Sequence, residues 1–137
     1  MKPTLRYKVV MGNPYSGLGS CVPGECRVQY RIGEWTRAKV GGLMVFTTLV
    51  AAKRFKRVTR SRGTASSSPA AYPVDIVQCC VRRQIALPAR IYQDLNMCYL
   101  STVRLCWRGF MRAGSIMCKP LAHTEAYKEV KPIKWID

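Results

Sequence analysis

Three features of the sequence predict a single α+β domain: an antiparallel sheet of about four to six strands with one or two helices on one face. The first is length, since 137 residues suit one domain whose core needs no staples. The second is a hydrophobic content of 48%, ordinary for a globular chain and too high for wholesale disorder. The third is a succession of short period-2 runs, with one stretch of helical spacing among them.

The elements follow in chain order. "LRYKVVM" (5–11) alternates Leu5, Tyr7, Val9 and Met11 against Arg6 and Lys8, which predicts a half-buried strand. "GNPYSGLGSCVPGE" (12–25) is dense in Gly and Pro and reads as a turn-rich connection. "CRVQYRI" (26–32) alternates again, with Cys26, Val28, Tyr30 and Ile32 on one face, until Gly33 breaks it. The two runs suit a hairpin with its cationic faces outward. "GLMVF" (42–46) reads as a short buried strand, and Thr47 or Thr48 as the N-cap of a helix over "LVAAKRFKRV" (49–58). Leu49, Ala52 and Phe55 fall on one side of that helix, with its cations around the rest and in the last turns, where they complement the dipole. "SRGTASSSPAAYP" (61–73) is the one low-complexity segment, so a flexible or basic loop is expected near 59–73. "VDIVQCCV" (74–81) reads as a strand. In 91–111 the spacing favours helix in the first half and strand in the second. "EVKPIKWI" (129–136) alternates, and Pro132, which donates no ladder hydrogen bond, predicts an edge strand. No repeat or boundary divides residues 1–137.

Charge is the unusual property. Twenty-three Lys/Arg against seven Asp/Glu give a net +16, a self-repulsion that an anionic partner would offset. Between Trp35 and Val74 stand eight cations and no acid: Arg37, Lys39, Lys53, Arg54, Lys56, Arg57, Arg60 and Arg62. A merely solvated helix interleaves both signs and gains i,i+4 pairs, whereas this one places repulsive neighbours side by side. Cations in such a row release counterions when each meets a phosphate, giving affinity independent of sequence. Trp35 and Trp107 lie beside cations and are candidates for stacking on unpaired bases. Tyr7, Tyr30 and Phe46 sit on alternating runs and are expected in the core.

Other chemistry is thin. The seven carboxylates form no close pair, and His123 is the single histidine, so no catalytic residues are assigned and no enzyme is expected. Cys21 and Cys26 flank "VPGE" at the edge of zinc-site spacing, but a second pair is lacking. "GNPYSGLG" (12–19) lacks the Lys-Ser/Thr of a phosphate-binding loop and reads as a structural turn. No metal or other cofactor is expected. Seven cysteines without an export signal read as reduced, mostly core-filling thiols, which implies an intracellular setting. The longest apolar run, 41–52, falls short of the roughly 20 residues that span a bilayer, so no membrane partner is expected.

"YRIGEWTRAKVGGLMVFTTLVAAKRF" (30–55) resembles the core pattern of small uncharacterised domains encoded mainly by bacteriophages, with Tyr30, Gly33, Ala38, Gly42, Val45, Phe46, Ala52 and Phe55 at the matching positions. "VKPIKWI" (130–136) is similar to the terminal strand of that group. The resemblance covers a quarter of the chain, implies a viral protein of the host cytoplasm or the virion, and carries no active site with it. The expected partner is nucleic acid, DNA or RNA, bound non-specifically through its backbone. The alternative is a protein-interaction role, as a virion assembly part or an inhibitor acting on an acidic or nucleoprotein partner.

Overall fold

The computed structural model describes residues 3–11, 28–63, 74–88, 91–92, 104, 106–108, 117–118 and 122–136. Its elements are β1 (Leu5–Met11), β2 (Thr36–Arg37), β3 (Leu43–Phe46), α1 (Leu49–Gly63), β4 (Val74–Ile85), β5 (Ile91–Tyr92), β6 (Met117–Cys118) and β7 (Thr124–Trp135). The predicted antiparallel sheet and helix are both present. The sheet runs β2-β7-β3-β1-β4, and β4 pairs back onto β7, so β7, β3, β1 and β4 close into a four-stranded barrel. β5 and β6 form a separate two-stranded ribbon.

Closure depends on β4 and β7, each 12 residues long. β7 meets β3 at residues 124–127, then β2 at 129–130, along one edge, and β4 from Ala126 to Trp135 along the other. It is therefore an interior strand and not the predicted edge. Pro132 is tolerated there because the pairing shifts beside it: Cys79 faces Pro132 but Gln78 faces Lys134, which leaves Ile133 as the extra residue of a bulge. Arg83, at φ 61°, marks a second irregularity in β4. Such breaks add twist and curvature, which closing so few strands requires.

β1, β3 and β4 contribute to two buried layers, the barrel interior and the face beneath α1. Val10, Val45, Val77, Cys79, Val81, Tyr127 and Val130 fill the interior with Val28 and Tyr30. On the outer side Val9, Phe46 and Ile76 pack against Ala51 and Ala52 of α1, with Tyr7, Leu49 and Phe55 at the margin. Phe46 and Phe55 are tilted rings with centroids 5.3 Å apart. The N-cap is Thr48, whose Oγ1 accepts from the Ala51 amide at 3.2 Å. The helix then runs on through Gly63, further than the predicted 58.

Four further expectations are corrected. The hairpin between 5–11 and 26–32 does not form: β1 pairs with β3 and β4, and around Gln29 only an isolated bridge remains. Lys8 does not face solvent but points into the barrel, because both faces of β1 are covered. Ile32, expected on the buried face, is exposed. In the ambiguous stretch the described residues reverse the prediction, with strand at 91–92 and helix at Arg104, Cys106 and Trp107. The predicted turn at 12–25, Cys21, Cys26 and most of the Ser/Ala/Pro segment lie outside the described residues.

Around the barrel β1 lies opposite β7, just as β3 lies opposite β4, since neither of these two pairs shares a ladder. α1 packs over β1 and its neighbours β3 and β4, whereas β2 extends the sheet from β7. The helix and β2 thus occupy opposite sides of the barrel. That separation decides how the cations are distributed.

Candidate nucleic-acid interface

The eight cations that are continuous in sequence divide between these two sides. Lys53, Arg54 and Arg57 project into solvent from α1, and Lys56 is half-buried. Their spacing keeps them on the surface while Ala51, Ala52 and Phe55 meet the barrel. Arg60 and Arg62 belong to the same helix, but their side chains lie outside the described set. Arg37, on β2, and Lys39, just beyond it, are exposed on the far side.

A turn places Trp35 on that far side. The Glu34 amide donates to the Arg31 carbonyl at 3.1 Å, with Gly33 third in the turn at φ 85°, where a type II turn calls for glycine. The Gly33 amide then donates to the Pro132 carbonyl at 2.7 Å and ties the turn to β7. Thr36 and Arg37 pair with Val130 and Glu129, so Trp35 is fixed on both flanks.

The Trp35 ring lies against two cations from the barrel wall. The Arg82 guanidinium carbon is 3.9 Å from the ring centroid and the Lys131 Nζ is 5.2 Å from it. Both distances are in the range of a cation–π attraction. Lys131 faces Cys80 across the β4–β7 ladder, and Arg82 is two residues further along β4. Directly paired residues share a face and so do residues i and i+2, so both cations rise from one side of the sheet. Trp35 keeps 37% of its surface exposed.

Beside the ring opens a groove of about 470 Å³, lined by Val28, Gln29, Arg31, Glu34, Thr36, Arg37 and Lys39 as well as Trp35. The acid Glu129 is already engaged: its Oε2 accepts from Arg82 Nε at 2.5 Å and lies 3.7 Å from Arg83 Nε. The Arg82 hydrogen bond, reinforced by the charges of Arg83 and Arg37, holds the Glu129 carboxyl below the usual carboxylate range. Six cations (Arg31, Arg37, Lys39, Arg82, Arg83 and Lys131) thus stand near two carboxylates, Glu34 and Glu129, one of them paired.

Trp107 has another role. A Cβ built on Gly41 would collide with its ring carbons, so the indole lies directly on the Gly41 backbone and is half-buried there. One face is committed to packing, which leaves Trp35 as the better-placed stacking candidate.

Sequence reasoning assigned no role to Arg31, Arg82, Arg83 or Lys131. Their signal was available: the outward positions of "VRRQ" and "KPIKW" are basic, but only strand pairing brings them beside Trp35. It also missed the polar group inside the barrel. Lys8 Nζ donates to the Met44 carbonyl at 2.7 Å and stands 5.7 Å from the centre of the Tyr30 ring. Burial pulls its pKa down to about 8. The neighbouring Cys79 thiol donates to the Arg6 carbonyl at 3.4 Å and is pushed up to about 12 by burial. Tyr30 Oη is buried without a hydrogen-bond partner among the described residues. At the same end of β1 Arg6 Nε donates to Glu125 Oε1 at 2.6 Å, while Gln84 and the Tyr127 hydroxyl also donate to that carboxylate. Partial burial opposes ionisation of Glu125, but these hydrogen bonds outweigh it and keep the carboxyl below its ordinary range.

No group of three or more His, Cys, Asp or Glu with metal-site geometry occurs among the described residues, and no helix among them is long and apolar enough to cross a membrane. Comparison with protein-family models, with curated proteins and with solved structures finds no match to this chain.

Proposed function

We propose that this protein binds nucleic-acid backbone non-specifically and acts without catalysis. The observation that carries the reading is the exposed cation stripe of α1, Lys53, Arg54 and Arg57, in a molecule of net charge +16 whose carboxylates Glu125 and Glu129 are already held by arginines. Seven acids can neutralise only a minority of twenty-three cations, so phosphate is the ligand that the excess fits. Arg37 and Lys39 add a second point of attachment across the barrel. Among the described residues no base-reading element accompanies either set, which is why binding is proposed to depend on backbone and not on sequence.

The reading extends to a phage-type protein of the host cytoplasm or the virion. The pattern residues Tyr30, Val45, Phe46 and Ala52 are buried, as a shared fold signature needs, and say nothing of activity. The test is fluorescence anisotropy of the full chain with a labelled oligonucleotide over a salt series. Affinity is expected to fall steeply with salt, and changing Lys53, Arg54, Lys56, Arg57, Arg60 and Arg62 to Gln is expected to flatten the slope by several units. Salt-insensitive binding, or none, would overturn the proposal in favour of a protein-interaction role.

A further inference from the structure

The two basic faces differ in one respect: among the described residues, the β2 side presents an exposed aromatic ring, Trp35, among its cations, whereas Phe55 on α1 packs against the barrel. We infer that this face takes unpaired bases on Trp35, so that the nucleic acid bound there is single-stranded. The inference rests on the backbone-binding reading above and adds to it the class of ligand and the residues that select it.

The cations alone are indifferent to strandedness, because single and double strands both offer phosphates. The ring is not. In a duplex every base is paired and stacked on its neighbours, with its flat face out of reach. In a single strand that face is free to lie on an indole. Trp35 suits this use because its backbone is fixed between the Arg31–Glu34 turn and the β2–β7 pairing, so little freedom is lost on binding. Arg82 and Lys131 reach the ring from the barrel wall, and 37% of the Trp35 surface remains exposed. A base laid on that exposed surface adds a stacking contact to the cation–π contacts already present.

The adjoining groove supplies the rest. At about 470 Å³ it falls in the size range of small-ligand sites. Arg31, Arg37 and Lys39 stand along it for the phosphates flanking a stacked base, with Gln29, Thr36 and the single carboxylate Glu34 also in the lining. An acidic peptide would satisfy the same cations but would have no use for the ring. The indole therefore favours nucleic acid over that alternative.

The test uses the full chain with a labelled oligothymidylate, a blunt duplex of equal length, and polyglutamate as competitor, at fixed moderate salt. Tighter binding of the single strand is expected. W35A is expected to weaken single-strand binding about tenfold or more and to change duplex binding less than about twofold, with W35F close to wild type in affinity. Indole fluorescence quenched by oligothymidylate in the wild type, and not in W35F, would locate the contact. W35F also serves if W35A does not fold. Equal losses on both nucleic acids, absence of the differential quench, or competition by polyglutamate as strong as by oligothymidylate would overturn the inference. Persisting salt-dependent binding to both strands would leave the backbone reading standing, whereas no binding to either would remove both.

Discussion

At Gly41 two constraints coincide. The backbone sits at φ 62°, which disfavours any residue with a Cβ, and the Trp107 ring occupies the place that Cβ would take. Gly41→Ala is expected to cost about 3 kcal/mol in urea unfolding, since left-handed strain adds to displacement of the ring. Gly33→Ala separates the two effects, because nothing lies within 4 Å of its Cβ position. Only strain remains there, and about 1 kcal/mol is expected. Lys8 gives a prediction in pH. Its folded pKa of about 8 lies below the ordinary 10.5, so the native state releases the proton first as pH rises, and stability grows above pH 8. Cys79 acts with the opposite sign, because its thiol ordinarily titrates near 9 and is held in the fold to about 12, which costs stability above pH 9. Burial also raises the Tyr30 phenol, which adds to that loss above pH 10. Melting temperature is therefore expected to rise between pH 8 and 9 and then level or fall. Lys8→Met is expected to remove the rise and to raise stability at neutral pH, in a series of thermal melts.

Among the elements, α1 is held by its cap and its apolar side, with no acid in its first turn to complement the dipole. Thr48→Ala is expected to lower global stability by about 1 kcal/mol, and Thr48→Ser to restore most of it, as measured by denaturant titration. The helix was legible because its pattern is local: Leu49, Ala52 and Phe55 declare the period, and a threonine stands at its start. β1, β3, β4 and the end of β7 were legible for the same reason. The status of β7 was not. Pro132 argues for an edge from its own chemistry, and only the bulge opposite Cys79 shows how an interior strand accommodates it. The run 26–32 failed in a related way. Its alternation correctly buries Val28 and Tyr30, yet alternation specifies a buried face and not a ladder partner.

For the molecule as a whole, the consequence that matters is the division of charge. Residues 37–62 read as one basic tract, but the barrel sets Arg37 and Lys39 across from the helix. Neutralising Lys53, Arg54 and Arg57 with Gln, and separately Arg37 and Lys39 with Gln, is expected to reduce the salt slope of single-strand binding by about 0.7 for each phosphate no longer neutralised. The two sets are expected to be additive within a few tenths of a kcal/mol when combined, because sites that share no partners act independently. Strong coupling between them, in a double-variant cycle read by anisotropy, would mean that one strand segment wraps both sides.

Net charge, the period of each run, the cap of the helix and the choice of side chains apolar enough to be buried need no partner, and all are readable along the chain. Which strands meet, that the sheet closes, and that Lys8 lies inside while Arg82 and Lys131 rise against Trp35 emerge only when the chain is folded. The physical reason is that a strand's hydrogen bonds are completed by distant residues. A period of two names its faces but leaves open what stands beside it or covers it.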